Sequence, residues 1–299
     1  MVVVEALIPI FSLILLGYVL GIRGWLPSQT TPALTAVTFK LFMPVLLFSA
    51  LARADLAGAL SPLLLLAYYL PALVVFTGVN LIMHRRLGEP TAMGLAASYS
   101  NNVLVGIPLI TILLGTSSLV YLFAVLAFHS VILFTAQSLY NAFFTPGDKF
   151  DVRSLFRSLA NPLIIGLFLG ALLNLSGMGL PSPLWRLVDW LAAAALPCAL
   201  LVLGLSLSHY RLRLNSVMIG LTLSKLLFFP ALVFGAGLLF GNLGNEARTV
   251  LLIMAACATG VNVLAFAMGG EDNRIVGSAI FLSTVMSAVT LPLWLLLVI

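Results

Sequence analysis

The sequence predicts an all-α polytopic membrane protein with ten transmembrane helices, arranged as two inverted repeats of five. Three observations predict this class. Of 299 residues, 62% are hydrophobic and 8% are charged, whereas about 25% of residues are charged in a typical soluble domain. Apolar stretches of about 20 residues, the length that crosses a bilayer, recur along the chain. Two of these stretches also contain helix-breaking residues, at corresponding places in the two halves.

The apolar spans are separated by charged residues, glycine and proline. They lie near residues 3–21, 32–52, 61–82, 91–114, 118–144, 160–176, 184–207, 214–240, 248–268 and 275–297. The longest hydrophilic interruption, residues 145–158, forms a short connecting loop between a first repeat, residues 1–144, and a second, residues 159–299. The first span carries Glu5 and lacks a basic start and a cleavage pattern, so we expect a membrane helix rather than a signal peptide.

The basic residues predict the orientation of the chain. If both termini lie outside, the loops that face the cytoplasm hold nine basic residues: Arg23, Arg85, Arg86, Lys149, Arg153, Arg157, Arg211, Arg213 and Arg274. The loops on the other side hold three: Arg53, Arg186 and Arg248. Because positive residues accumulate in cytoplasmic loops, we expect both termini outside. The net charge of +5 therefore reports topology, and no nucleic-acid partner is predicted.

Short matches in the same order relate the two halves. They are Gly17-x-x-x-Gly21 with Gly166-x-x-x-Gly170, Leu26-Pro27 with Leu180-Pro181, Pro44 with Pro197, Pro71-Ala-Leu-Val with Pro230-Ala-Leu-Val, and Asn102-Val-Leu with Asn262-Val-Leu. Ordered matches of this kind indicate an internal repeat. Because each half has an odd number of spans, the second half must be inverted relative to the first.

Spans four and nine are predicted to be discontinuous helices. In a helix interior, glycine costs about 1 kcal/mol and proline about 3 kcal/mol. Backbone groups freed by such a break are tolerated in a membrane only where they face protein or a wet cavity. Paired breaks in two halves are typical of a transporter binding site. The substrate-binding candidates at the breaks are Asn101, Asn102, Gly106, Pro108, Thr259, Gly260 and Asn262. The asparagines could instead only satisfy the broken backbone.

Two lysines lie deep within apolar spans, Lys40 in span two and Lys225 in span eight. A charge at that depth is by default functional or paired, although either side chain could snorkel to the interface. The nine acidic residues all fall in loops or near span ends. The sequence therefore predicts a site that is neutral to positive and suited to an anion, with both lysines among its binding residues.

Ion coupling remains open from the sequence. His129 and Gln137 lie on one face of span five, where the histidine could carry a proton or simply be a satisfied interior side chain. Sodium could instead bind unwound carbonyls together with the hydroxyls of Ser98, Ser100 or Thr259. Neither a cofactor nor a metal site is predicted.

The chain resembles the auxin efflux carrier family in three segments: GYVLGIRGWLP (residues 17–27), FMPVLLFSAL (42–51) and NNVLVGIPL (101–109). The resemblance implies ten helices in a fold shared with bile acid:sodium symporters, in a bacterial inner or plasma membrane. It implies a scaffold of spans 1, 2, 6 and 7, a transport domain of spans 3–5 and 8–10, and a crossing of spans 4 and 9. It also implies export of small organic anions such as auxin, malonate or malate. Span nine departs from the family in having Gly260 and no proline at the crossing.

The leading hypothesis is an efflux carrier for a small organic anion that works by alternating access. The alternative is a sodium- or proton-coupled symporter or exchanger of a neutral or zwitterionic solute. An intramembrane enzyme is disfavoured because no H-E-x-x-H or G-x-S-x-G motif occurs, and a non-transporting sensor would need longer loops. A homodimer through the scaffold helices is expected from the family. Three glycine pairs fit packing within one chain equally well: Gly17/Gly21, Gly166/Gly170 and Gly235/Gly237.

Overall fold

The computed structural model describes residues 2–27, 29–54, 61–144, 162–209, 215–241, 243–267 and 270–298. The connecting loop 145–158 lies outside the described residues, as do the predicted cytoplasmic residues Lys149, Arg153, Arg157, Arg211 and Arg213. Within the described ranges the regular elements are all helical, and the only strand-like pairing is one isolated bridge.

Thirteen α-helices occur in the described part of the chain. They are α1 (Val2–Ile22), α2 (Thr30–Val37), α3 (Met43–Ala52), α4 (Pro62–Leu87), α5 (Met93–Ser98), α6 (Ile107–Leu113), α7 (Leu119–Phe144), α8 (Pro162–Leu175), α9 (Ser182–Leu207), α10 (Ser216–Leu223), α11 (Phe229–Leu239), α12 (Asn245–Ala256) and α13 (Gly270–Leu295). Three π-helical segments, Thr38–Phe42, Asn102–Gly106 and Ser224–Phe228, connect α2 to α3, lead into α6, and connect α10 to α11. A 3₁₀ segment, Val261–Phe266, follows α12.

Each predicted span coincides with a helical stretch among the described residues. Six stretches are long and apolar enough to cross a membrane: Thr30–Ala52, Pro62–Leu87, Leu119–Phe144, Ser182–Leu207, Ser216–Leu239 and Gly270–Leu295. Shorter apolar helices cover Leu7–Ile22, Asn102–Leu113 and Pro162–Leu175. The all-helical membrane class is therefore confirmed, whereas the count of ten crossing helices stays a prediction.

All three π-helical segments share a local cause, a proline two residues after the segment ends: Pro44, Pro108 and Pro230. Proline lacks an N–H, so the carbonyl four residues earlier loses its usual donor. In the segment before Pro44 the Met43 N–H donates to the Thr38 carbonyl, and in the segment before Pro230 the Phe229 N–H donates to the Ser224 carbonyl. In both bonds the N–H donates to the carbonyl five residues earlier, which is the hydrogen-bond pattern of a π-helix. The wider turn therefore carries the chain into each proline without ending the span.

The first of two compact units consists of Met1–Leu60, Val103–Ala127 and Arg157–His209. In it α1 packs along α9, and α3 packs against both α8 and α9. Glycines allow these close contacts, since a Cβ on Gly17 would meet the Leu201 carbonyl and one on Gly166 would meet the Pro44 carbonyl. Two of the predicted glycine motifs therefore serve helix packing within one chain.

The second unit consists of Ser61–Asn102, Phe128–Phe156 and Tyr210–Ile299. In it α4 packs against α5 and α11, while α12 packs against α11 and α13. The prediction of a close helix contact at Gly235/Gly237 is wrong. A Cβ on Gly235 would meet nothing within 4 Å, and one on Gly237 would lie 3.5 Å from the Arg248 side chain. The spacing of small residues does not by itself specify a partner helix.

Candidate functional site

The candidate site lies in the second unit, where two helices end and their chains cross. α5 ends at Ser98 and α12 ends at Ala256. The extended residues that follow pair antiparallel at Ser100 and Thr259. The Asn101 N–H donates to the Ala258 carbonyl at 2.8 Å, and the Gly260 N–H donates to the Tyr99 carbonyl at 3.0 Å. The two breaks therefore satisfy each other's backbone, as apolar surroundings require.

Hydrogen bonds of side-chain hydroxyls join the crossing to neighbouring helices. The Thr259 hydroxyl donates to the Ala96 carbonyl at 2.9 Å, and the Thr259 N–H donates to the Ser283 hydroxyl at 3.0 Å. The Ser98 hydroxyl donates to the Gly94 carbonyl at 2.9 Å, within its own helix. Thr259 therefore joins the crossing to α5 and to the helix of Ser283, whereas Ser98 bonds only within its own helix.

Lys225 lies against the crossing. It belongs to the π-helical segment Ser224–Phe228 and is completely buried. Its Nζ donates to the Ser100 hydroxyl at 2.9 Å and to the Ala255 carbonyl at 2.6 Å, and it lies 4.9 Å from the centre of the Phe229 ring. No carboxylate lies within ion-pair distance of this amine in the part of the chain that the structure describes. The prediction that Lys225 is buried is confirmed.

The two asparagines of span four are both buried. The Asn102 amide nitrogen donates to the Tyr68 hydroxyl at 3.3 Å. The side-chain oxygen of Asn102, Oδ1, is buried and forms no hydrogen bond with any described residue. A buried polar atom without a partner costs about 1–3 kcal/mol, so this oxygen is a candidate contact for a polar ligand. Gly106 and Pro108, further along the break, are buried and belong to the first unit.

His129 of α7 is brought to the same region and is enclosed by tyrosine rings. The centre of its ring lies 4.4 Å from that of Tyr99, 5.7 Å from Tyr68 and 6.5 Å from Tyr69. Neither ring nitrogen forms a well-directed hydrogen bond among the described residues. The Tyr99 hydroxyl is paired with the Ser130 hydroxyl at 2.8 Å. The imidazole is thus a polar group held between aromatic faces.

Gln137 lies elsewhere on the helix that carries His129. Its amide nitrogen donates to the Thr91 carbonyl at 3.0 Å and to the Asn141 side-chain oxygen at 2.8 Å. Thr91 precedes α5, so Gln137 tethers the start of that helix, whereas the crossing follows its end.

Two predicted residues are not buried. The Lys40 side chain is exposed and belongs to the first unit, so its place among the substrate-binding residues stays a prediction. Asn262, the repeat partner of Asn102, is exposed on the 3₁₀ segment. Position along an apolar span predicts depth in the membrane, but only packing decides which face of the span is covered.

Sequence reasoning missed Tyr68, Phe229 and Ser283, which contact Asn102, Lys225 and Thr259 respectively. Tyr68 and Ser283 lie 34 and 24 residues from their partners in sequence, whereas Phe229 follows Lys225 by about one helical turn. The tyrosine pair just before Pro71 is a weak signal that could have pointed to Tyr68, because a tyrosine deep in an apolar span needs a hydrogen-bond partner.

Comparison with known proteins identifies the family of this chain. The family described as "Membrane transport protein" matches residues 2–295. A protein of Methanothermobacter thermautotrophicus named "Uncharacterized transporter" is 30% identical, over 97% of this chain and 96% of its own length. A protein of Rhizobium meliloti named "Putative malonate transporter" is 28% identical, over 95% of this chain and 92% of its own length. The chain therefore belongs to the membrane transport protein (auxin efflux carrier) family, as an integral membrane transporter and not an enzyme.

Proposed function

We propose that this protein is a secondary transporter that carries a small organic anion across the membrane. The observation that carries the proposal is the buried amine of Lys225 at the crossing, which has a hydroxyl and a carbonyl as partners and no described carboxylate. A lysine can donate three hydrogen bonds, and a charge deep in a membrane is costly unless it is paired. A substrate carboxylate would accept the third bond and supply the opposite charge.

Neutral polar groups complete the proposed site. Ser100 and the crossing backbone hold the lysine amine, and the Asn102 oxygen has no described partner. A hydroxyl or a protonated acid group on the substrate could donate to that oxygen. We propose Asn101, Thr259 and Gly260 as the residues that keep the crossing open to such a ligand, through the backbone bonds between its two strands.

The substrate class follows from the lysine and from one relative. A carboxylate such as malonate, malate or an auxin-like acid pairs with an amine, and a 28% identical relative carries the name of a malonate transporter. A negative interior drives each exported negative charge with about 2.3 kcal/mol per 100 mV. The potential alone could therefore drive efflux of an anion from the cell.

We propose an elevator-type alternating-access mechanism. Spans 1, 2, 6 and 7 would form the scaffold, and spans 3–5 and 8–10 would move as the transport domain of a 5+5 inverted-repeat, bile acid:sodium symporter-like fold. Two findings support this division: spans 1, 2, 6 and 7 fall in the first compact unit, and the crossing residues Tyr99–Asn101 and Ala258–Gly260 fall together in the second. The division departs from the units in one place, because Val103–Ala127, the second half of span 4 and the start of span 5, groups with the first unit. Gly106 and Pro108 would end the break on the other side of span four.

A second candidate is sodium- or proton-coupled transport of a neutral or zwitterionic solute. The observation that favours it is His129, whose ring nitrogens form no well-directed bond with the described residues although the side chain is buried. A histidine in that position can bind and release a proton during a transport cycle. Coupling to sodium would instead use neutral oxygens of the crossing, among them Ser98 and Ser100.

Charge movement in proteoliposomes on a solid-supported membrane separates the two candidates. The compounds are malonate, malate, succinate, an indole acid and neutral amino acids, each added with and without sodium and at two pH values. Currents evoked by acids in the absence of sodium support the anion carrier and rank its substrates. Currents that require sodium or a proton gradient, or that only amino acids evoke, would replace it with the coupled transporter.

The proposed orientation, with both termini outside, has its own test. A cysteine at Glu89 should react with an impermeant maleimide only from the cytoplasmic side, and one at Asn245 only from outside. Both residues are exposed and lie at opposite predicted faces. The reverse labelling pattern would invert the topology.

A further inference from the structure

An apolar groove of about 500 Å³ runs along the second unit, on a different face of the π-helical segment from the Lys225 amine. Its walls are α4 and α10, continued by the π-helical segment, with Met93 of α5 in the lining. Most lining side chains are aliphatic or aromatic, and the polar ones are Arg86, Ser216 and Ser224. Several of its wall residues, Val74, Ile82 and Phe228 among them, are more than half exposed. An exposed face of this composition is suited to hydrocarbon.

Two glycines keep the groove open. A Cβ added to Gly78 of α4 or to Gly220 of α10 would meet no atom within 4 Å. Gly94, on the neighbouring α5, is the opposite case, because a Cβ there would collide with Asn80. In the part of the chain that the structure describes, the space beside Gly78 and Gly220 is therefore not used for packing, although glycine in a helix interior costs about 1 kcal/mol relative to alanine.

The length of the groove matches one leaflet of a bilayer. Val74 and Arg86 lie at its two ends on α4, and a rise of 1.5 Å per residue separates them by about 18 Å. The hydrocarbon core is about 30 Å thick, so one leaflet is about 15 Å deep. A chain that enters beside Arg86 would therefore reach the middle of the membrane near Val74.

The end of the groove at Arg86 is positively charged. Arg86 and its neighbour Arg85 are exposed at the end of α4, and no ion pair of either arginine occurs in the described part of the chain. Ser216 begins α10, which the predicted topology starts on the same, cytoplasmic side. Basic residues beside a membrane attract anionic headgroups, each with about a fivefold effect on affinity. The Arg86 end is therefore complementary to a phosphate at the inner surface.

The groove is too small to enclose a partner helix. A helix with its side chains is at least about 10 Å across, so an 18 Å length of it fills about 1,400 Å³. That is nearly three times the volume of the groove. A single extended hydrocarbon chain is thinner and needs no hydrogen bonds along its length.

We propose that the groove is a binding site for one anionic phospholipid of the inner leaflet. An acyl chain lies between α4 and α10 over Gly78 and Gly220, and the headgroup phosphate contacts Arg86. The proposal is independent of the transported substrate.

Native mass spectrometry of the purified protein tests this site. The probes are phosphatidylglycerol and phosphatidylcholine with identical acyl chains. The wild-type protein should retain one phosphatidylglycerol in preference to phosphatidylcholine. The double variant Gly78→Leu with Gly220→Leu should weaken this binding at least about tenfold, since the added side chains start in the acyl channel, where a Cβ meets no described atom within 4 Å. Arg86→Gln should reduce the preference for phosphatidylglycerol about fivefold.

Gly235→Leu is the matched control. It adds the same side chain to an open position of α11 that does not line the groove, and it should bind phosphatidylglycerol like the wild type. The single variants Gly78→Leu and Gly220→Leu are measured alongside, with the melting temperature of each, so that one folded variant suffices. Undiminished binding in folded leucine variants would overturn the site, and equal binding of both lipids by the wild type would overturn the role of Arg86.

Discussion

Two π-helical segments of this protein share a local design and differ in their surroundings. Thr38–Phe42 precedes Pro44 and carries Lys40, while Ser224–Phe228 precedes Pro230 and carries Lys225. Lys40 is exposed, whereas Lys225 is completely buried and donates two hydrogen bonds. The comparison teaches that a lysine in a π turn before a proline can be exposed or buried, and that the neighbouring elements decide which.

The neighbours of the second segment are specific. Pro230 leaves the Leu226 carbonyl without its helical donor, and the indole nitrogen of Trp294 donates to that carbonyl at 2.8 Å. The lysine amine in turn reaches Ser100 of the crossing. Trp294 of α13 therefore supplies the donor that the Leu226 carbonyl lacks, and Ser100 supplies an acceptor for the Lys225 amine.

The largest expected effect comes from removing each lysine. Lys225→Met should weaken the apparent affinity for an organic anion by between about tenfold and 100-fold, since a hydrogen bond to a charged group contributes about 1.5–3 kcal/mol. Lys40→Met should change it by less than about twofold, because an exposed charge contributes little. Solid-supported membrane currents against substrate concentration give both values. Equal losses of affinity in the two variants would show that the buried and the exposed lysine contribute equally to anion binding.

Ser100, whose hydroxyl accepts a hydrogen bond from the Lys225 amine, should be the next most sensitive position. Ser100→Ala leaves the amine with a single protein partner, and we expect about tenfold weaker anion binding because an unmet buried group costs about 1–3 kcal/mol. Ser98→Ala is the control, since its hydroxyl bonds only within α5. An affinity in Ser100→Ala indistinguishable from that of the control would mean that the serine does not position the lysine.

Asn102 and Asn262, which the internal repeat pairs, differ in the same way, because Asn102 is buried and Asn262 is exposed. The internal repeat predicts equal loss of transport in Asn102→Ala and Asn262→Ala. The structure predicts a loss of about fivefold or more for Asn102, which is buried and bonded to Tyr68, and a smaller one for the exposed Asn262. Initial rates of uptake into vesicles, normalised to the amount of folded protein, rank the two. A larger loss at Asn262 would restore the symmetric site.

The smallest expected effect concerns the tryptophan that supports the second segment. Trp294→Phe keeps the ring but removes the hydrogen bond to the Leu226 carbonyl. We expect a loss of about 1 kcal/mol in the stability of the folded protein and an anion affinity within about threefold of the wild type. Thermal unfolding in detergent and the substrate titration measure the two quantities. An unchanged melting temperature would show that water or lipid replaces the indole.

The sequence predicted the glycine contacts only in part. Gly17 and Gly166 do meet the backbone of a packed helix, whereas Gly235 faces open space. Gly17 and Gly166 belong to Gly-x-x-x-Gly motifs and Gly235 to a Gly-x-Gly pair, and the contact at each depends on whether a partner helix passes on that side. That choice depends on residues far away in the chain, and no local pattern contains it.

The sequence by itself determined where this chain is helical and where its helices break. Apolar length predicted the spans, and glycine, proline and asparagine predicted the breaks at Asn102 and Gly260, because both depend on the bonding of a few neighbouring residues. Only the tertiary structure decided that Ser100 pairs with Thr259, that the Lys225 amine bonds to Ser100, and that His129 lies among tyrosine rings. These contacts join distant segments, so they depend on how all the helices pack together rather than on the preference of any one of them.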